Sequence, residues 1–92
     1  MIKTAILNKN LLSFIYDGKL REGEPHIWGM SGGKEYLLFY QLSGGSNSKN
    51  PYPWRMCELD KIENLQILNQ KFAGSRGDGS NTKFTEIFAV VR

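Results

Sequence analysis

Five side chains of this sequence have the chemistry to grip an anionic, aromatic ligand. Arg55 and Lys61 lie six positions apart, and two cations near the end of one strand suit a phosphate or carboxylate through charge-assisted hydrogen bonds. Tyr16 and Tyr36 offer flat rings on which a base stacks, a contact worth about 1–3 kcal/mol when fully engaged. His26, the single histidine, has a ring nitrogen suited to a general base or a ligand contact. Each has an ordinary alternative. Glu58, Asp60 and Glu63 are at hand to pair with Arg55 and Lys61, and tyrosines of a small β protein commonly pack in the core with the hydroxyl at the rim. A lone histidine is commonly just a strand residue. Cys57 shares a strand face with Arg55, but a single cysteine most simply serves as a small buried apolar residue.

Other chemistries lack their parts. There is no paired-carboxylate cleft, no Ser-His-Asp set and no cluster of metal ligands, so neither catalysis nor a cofactor is expected. The glycines of residues 73–82 are not followed by a phosphate-loop GK[ST]. Arg76-Gly77-Asp78 spells an integrin tripeptide only by coincidence of a Gly-rich turn.

The elements that must position these residues are short. The chain has 92 residues, 40% of them hydrophobic, with 10 glycines and 3 prolines. That length suits one domain over 1–92 with one modest core, and the turn-rich composition favours strands. The formal charge of +3 is compatible with an anionic partner but falls short of a dense nucleic-acid-binding stripe. One cysteine allows no internal disulfide, and neither a signal-peptide run nor a membrane-spanning stretch is visible; a cytoplasmic, membrane-free location is the expectation.

Residues 2–9 place Ile2, Ala5 and Ile6 on one face of a two-turn helix, which Asn8 and Asn10 are suited to end. Leu11–Tyr16 alternates as a strand, and Asp17-Gly18 predicts a tight hairpin. The return strand, Leu20–Met30, opens with Arg21, Glu22 and Glu24, expected to face solvent; Pro25 requires an edge or a bulge. After Ser31-Gly32-Gly33, Lys34–Leu42 carries apolar residues on both faces and reads as a central strand. A mobile loop over 43–53 leads to a fourth strand, Trp54–Leu59. A single turn at Asp60–Ile62 and a fifth strand at Leu65–Leu68 follow, with a helix over 58–68 as the competing possibility. A second flexible loop over 73–82 precedes a closing strand, Lys83–Val91. The whole predicts a small antiparallel SH3-like or Sm-like barrel with a short N-terminal helix and an extra C-terminal strand.

The ordered set Leu12-x-Phe14-x-Tyr16, Asp17-Gly18, Glu24-Pro25, Gly33, Tyr36-Leu37, Arg55-x-Cys57-x-Leu59-Asp60-Lys61-Ile62 and Phe72 resembles the WYL domain, over about residues 2–72. In that family a short helix precedes an Sm-like barrel, and the name-giving tripeptide lies on the third strand; here it reads Glu35-Tyr36-Leu37. Arg55 matches the family's first arginine, Cys57 replaces an aromatic residue, and Lys61 replaces a second arginine, with loss of the planar guanidinium fork. The resemblance implies a stand-alone sensing or regulatory module of bacterial transcription regulators, binding a nucleotide or single-stranded nucleic acid through Tyr16, His26, Tyr36, Arg55 and Lys61. The alternative expectation rests on KFTEIFAVV at the C-terminus: a protein-interaction module that pairs with a partner or a second copy through that strand, without a small ligand.

Overall fold

The computed structural model describes residues 1–44, 53–77 and 83–92. The helix α1 (Ile2–Asn8) is followed by β1 (Asn10–Tyr16), β2 (Lys19–Ser31), β3 (Lys34–Gly44), β4 (Trp54–Glu58), a 3₁₀ turn η1 (Leu59–Lys61), β5 (Glu63–Lys71) and β6 (Glu86–Val90). The strands form one six-stranded antiparallel sheet in the order β4-β3-β2-β1-β5, with β6 joined to β2. The loops expected at 43–53 and 73–82 lie partly outside the described residues. Among the described residues, no helix is long and apolar enough to cross a membrane.

α1 buries Ile2, Ala5 and Ile6, the i, i+3, i+4 set of its apolar face. They pack with Leu12 and Phe14 of β1, Leu37 and Phe39 of β3, Cys57 of β4, and Ala89 and Val91 at the C-terminus. The Phe14 and Phe39 ring centroids lie 4.9 Å apart. Lys9, rather than either flanking asparagine, takes the left-handed conformation that ends α1, with φ 58° and ψ 40°. Its N–H reaches the carbonyls of Ala5 and Ile6, and Lys71 Nζ donates to the Asn8 carbonyl at 2.9 Å. A backbone-bonded C-terminus of this kind needs a positive φ but no particular side chain.

Asp17 (φ 52°) and Gly18 (φ 74°) make the two-residue hairpin turn, with Tyr16 opposite Lys19. β2 is then shared among three strands. Its first half pairs with β1, its second half with β6, and β3 runs along it from Arg21 to Ser31. On β3, Phe39 faces Pro25 and Leu38 faces Ile27, so His26 is an extra residue. This bulge accommodates Pro25, which has no N–H for the ladder. Residues 58–68 are turn and strand, not helix, and β5 extends beyond the four residues expected, to Lys71.

The start of β2 departs from expectation. Arg21 and Glu24 are buried, at 4% and 5% exposure, although a polar opening to the strand predicted solvent. A strand paired on both sides and bent by bulges turns some polar residues inward; alternation alone does not reveal which.

Gly23 is the tightest point of β2. A Cβ there would lie 2.1 Å from the Tyr40 carbonyl oxygen of β3. Backbone cannot yield as a side chain can, so Gly23→Ala is expected to cost about 2 kcal/mol or more, measured as a lower urea midpoint. A variant unfolding at the parent's midpoint would contradict this account of the β2–β3 approach.

Candidate functional site

The five candidate residues separate into three environments. Tyr16, Tyr36 and Lys61 converge on a residue absent from the sequence-based set, Glu58. Tyr36 and Glu58 are register partners across β3 and β4, and the Tyr36 hydroxyl donates to Glu58 Oε1 at 3.3 Å. Lys34 Nζ lies 3.4 Å from Oε1, and Lys61 Nζ lies 3.2 Å from Oε2. Tyr16 Oη accepts the Glu58 backbone N–H at 3.0 Å. The Lys61 ammonium, aided by Lys34, holds the Glu58 carboxyl below its ordinary pKa, and Glu58 in turn raises that of Lys61. Burial raises the Tyr16 phenol, against the opposing hydrogen bond from Glu58. The expected surface pairing of Lys61 with Glu58 is therefore realised.

This end of the sheet is not a plain basic patch. Beside it is a cavity of about 250 Å³ lined by Met30, Gly33, Lys34, Glu35, Leu59 and Asp60. Two carboxylates face one ammonium in that lining, a poor environment for an anion.

Two further arginines, Arg21 and Arg55, lie on β2 and β4, the first at a strand start expected to face solvent. Arg21 sits on β2 opposite Phe14 of β1 and Gly44 of β3. Its Nη2 donates to the Tyr16 carbonyl at 3.2 Å, and its guanidinium carbon lies 5.2 Å from the Tyr16 ring centroid. The buried Nε has no hydrogen-bond partner among the described residues, and no carboxylate forms an ion pair with Arg21 there. Arg55 of β4 faces Phe39 across the ladder and donates from Nη1 to the Trp54 carbonyl at 3.3 Å. Both guanidiniums act on Cys57. Burial pushes that thiol up to about 11, with Arg21 and then Arg55 pulling it down.

His26 belongs to a third environment. Tyr36 and Tyr40 are four residues apart on β3, about 13 Å along the strand, and His26 lies with the group that includes Tyr40. It is 3% exposed, edge-on to Trp54 at 4.8 Å and stacked on Phe72 at 5.7 Å. Its Nε2 accepts the Arg76 N–H at 3.3 Å, so Nδ1 carries the proton that reaches the Glu24 carbonyl at 3.0 Å. Arg76 clamps Glu24 with bonds of 2.7 and 2.8 Å and lies 3.7 Å above the Tyr40 ring. Arg76 thus forms an internal clamp, while Asp78 of the same tripeptide lies outside the described residues. His26 ties β2 to the 72–76 segment and is not brought to the Tyr16–Glu58 group.

Arg21 and Glu58 could not be singled out from sequence, because each gains meaning from what the sheet places beside it. A faint signal existed: Arg21 is odd-numbered on the return strand, in phase with Gly23 and Pro25, and all three are buried. No group of three or more potential metal ligands occurs among the described residues.

The Cys57 thiol should make stability fall in alkali. Its folded pKa of about 11 exceeds its ordinary value of 9.0, so the folded state retains the proton longer and its advantage is lost as pH rises from about 9 to about 11. The raised phenol of Tyr16 and ammonium of Lys61 act with the same sign. The thiol's share is on the order of 3 kcal/mol. Urea unfolding of the parent and of Cys57→Ala across this range should show a shallower decline in the variant; parallel declines would exclude a buried neutral thiol. Comparisons of the chain with protein-family models, with curated proteins and with solved structures find no match in any of the three.

Proposed function

We propose that this chain is a ligand-sensing or regulatory domain of WYL type, a cytoplasmic module without catalytic activity whose sheet coils as an Sm-like barrel. Its ligand is a nucleotide or a single-stranded nucleic acid. The observation that carries the reading is Arg21: a guanidinium at 4% exposure, laid against Tyr16, with its Nε unsatisfied and no ion pair to a carboxylate among the described residues. Burying such a charge without an anion costs stability, and a bound phosphate would supply the missing acceptor. Tyr16 serves chiefly to hold Arg21, and Lys61 is taken up by Glu58. The exposed Ile87 and Val90 of β6 favour a second reading, pairing with another copy through that strand. In the folded chain β6 already uses one edge against β2, which leaves that reading a single edge.

Fluorescence-polarisation titration with labelled nucleotides and oligonucleotides tests the first reading, and light scattering of the same samples tests the second. Arg21→Met should weaken binding about tenfold or more while leaving the thermal midpoint equal to or above the parent's. That combination marks an arginine kept for a ligand. A variant that unfolds early, or one that binds like the parent at low salt, would sink the assignment of Arg21.

A further inference from the structure

Two cavities beside α1 meet at Lys3 and Trp28, which line both. The smaller, about 240 Å³, is otherwise walled by Met1, Ile2, Leu59 and Leu65. The larger, about 610 Å³, adds Met30, Glu35, Ile87 and Phe88. The fold fixes these walls. Leu59 and Leu65 are half-buried against the core to which Ile2 belongs, and the Trp28 and Phe88 ring centroids lie 4.9 Å apart. The Trp28 indole N–H donates to Glu35 Oε1 at 3.0 Å, which engages the one carboxylate lining the larger cavity. In the smaller cavity the only charged lining side chain is Lys3. It is exposed and, among the described residues, forms no ion pair. Neither Arg21 nor Tyr16 lines either cavity.

We propose that the two cavities form a site for a free alkyl carboxylic acid, whose carboxylate pairs with Lys3 while its chain lies on Ile2, Leu59 and Leu65 with Trp28 as a side wall. An apolar hollow with one unneutralised ammonium suits such a ligand, because the chain sheds apolar surface from water while the charged head stays at a solvent-facing cation. A longer chain continues past Trp28 into the larger cavity, where it covers Ile87, now 41% exposed. The head belongs at Lys3 and not in the larger cavity, where Glu35 would repel it. An alkyl amine of the same length would gain the same apolar contact but would face the Lys3 ammonium, so the charge of the head decides between them. This site goes beyond the nucleotide-binding reading and does not depend on it.

The test is calorimetric titration of the full chain with hexanoate, octanoate and decanoate, and with decylamine and decanol as controls of equal chain length, for the parent and Lys3→Gln. In the parent, affinity for the acids should rise about twofold or more with each added methylene. Decanoate should bind about tenfold more tightly than decylamine. Lys3→Gln should weaken decanoate about fivefold and leave decanol within about twofold. Lys3 is exposed, so this variant should keep the parent's thermal midpoint, and the comparison of acid with amine needs no variant at all. Equal affinities for decanoate and decylamine, no dependence on chain length, decanoate binding unchanged in Lys3→Gln, or no binding of any acid would each overturn the site. A peptide with an acidic residue on an apolar helical face, titrated in parallel, that binds where decanoate does not would also overturn it and mark a protein-docking face instead.

Discussion

Thirteen residues of β2 bond to three other strands, and nearly everything else in this small protein depends on that sharing. A strand paired along both edges has its backbone polar groups satisfied and its position settled, which a short chain with a modest core needs. The sharing demands that β2 bend. It bends where His26 is inserted as an extra residue beside Pro25, and it approaches β3 closely where Gly23 offers no side chain. The bend brings β6 against the second half of β2 and beneath α1, so the C-terminal Ala89 and Val91 complete a core begun by Ile2, Ala5 and Ile6.

The same bend distributes charge unevenly. Glu24, turned inward, is answered by Arg76 with a two-pronged bond, and the Arg76 guanidinium lies over the Tyr40 ring. Glu58 is answered by Lys34 and Lys61. Arg21, also inward, is answered among the described residues by a carbonyl and the face of a tyrosine. Buried ionic groups are ordinarily neutralised by partners because desolvation is large compared with the attraction left in water. Among the described residues, Arg21 is the buried cation that forms no ion pair with a carboxylate.

Element by element, the local signals were reliable where a local rule governs. The helical face of Ile2, Ala5 and Ile6, the Asp17-Gly18 turn, the Gly32-Gly33 turn and the two-faced apolar run of β3 all follow from periods and dihedral preferences within a few residues. The candidate site was legible in part. Tyr16, Tyr36 and Lys61 do meet, but around Glu58, which from sequence was only a possible surface partner. His26 was misgrouped because nothing near it in sequence announces Trp54, Phe72 or Arg76, the last of them 50 residues away. Arg21 was placed in solvent because a charged residue at a strand's start usually is there.

By itself, then, the sequence determined the N-terminal helix, the tight turns and most of the strands, since backbone preferences and side-chain periods act over a few bonds, but it left residues 58–68 open between helix and turn plus strand. It also offered cations and aromatic rings as the groups a binding site would use. Only the tertiary structure decided which charges cancel. Whether an arginine is a solvated surface group or a buried cation depends on residues that meet across the sheet, and the bulges that shift those meetings change the strand register without leaving a period in the sequence.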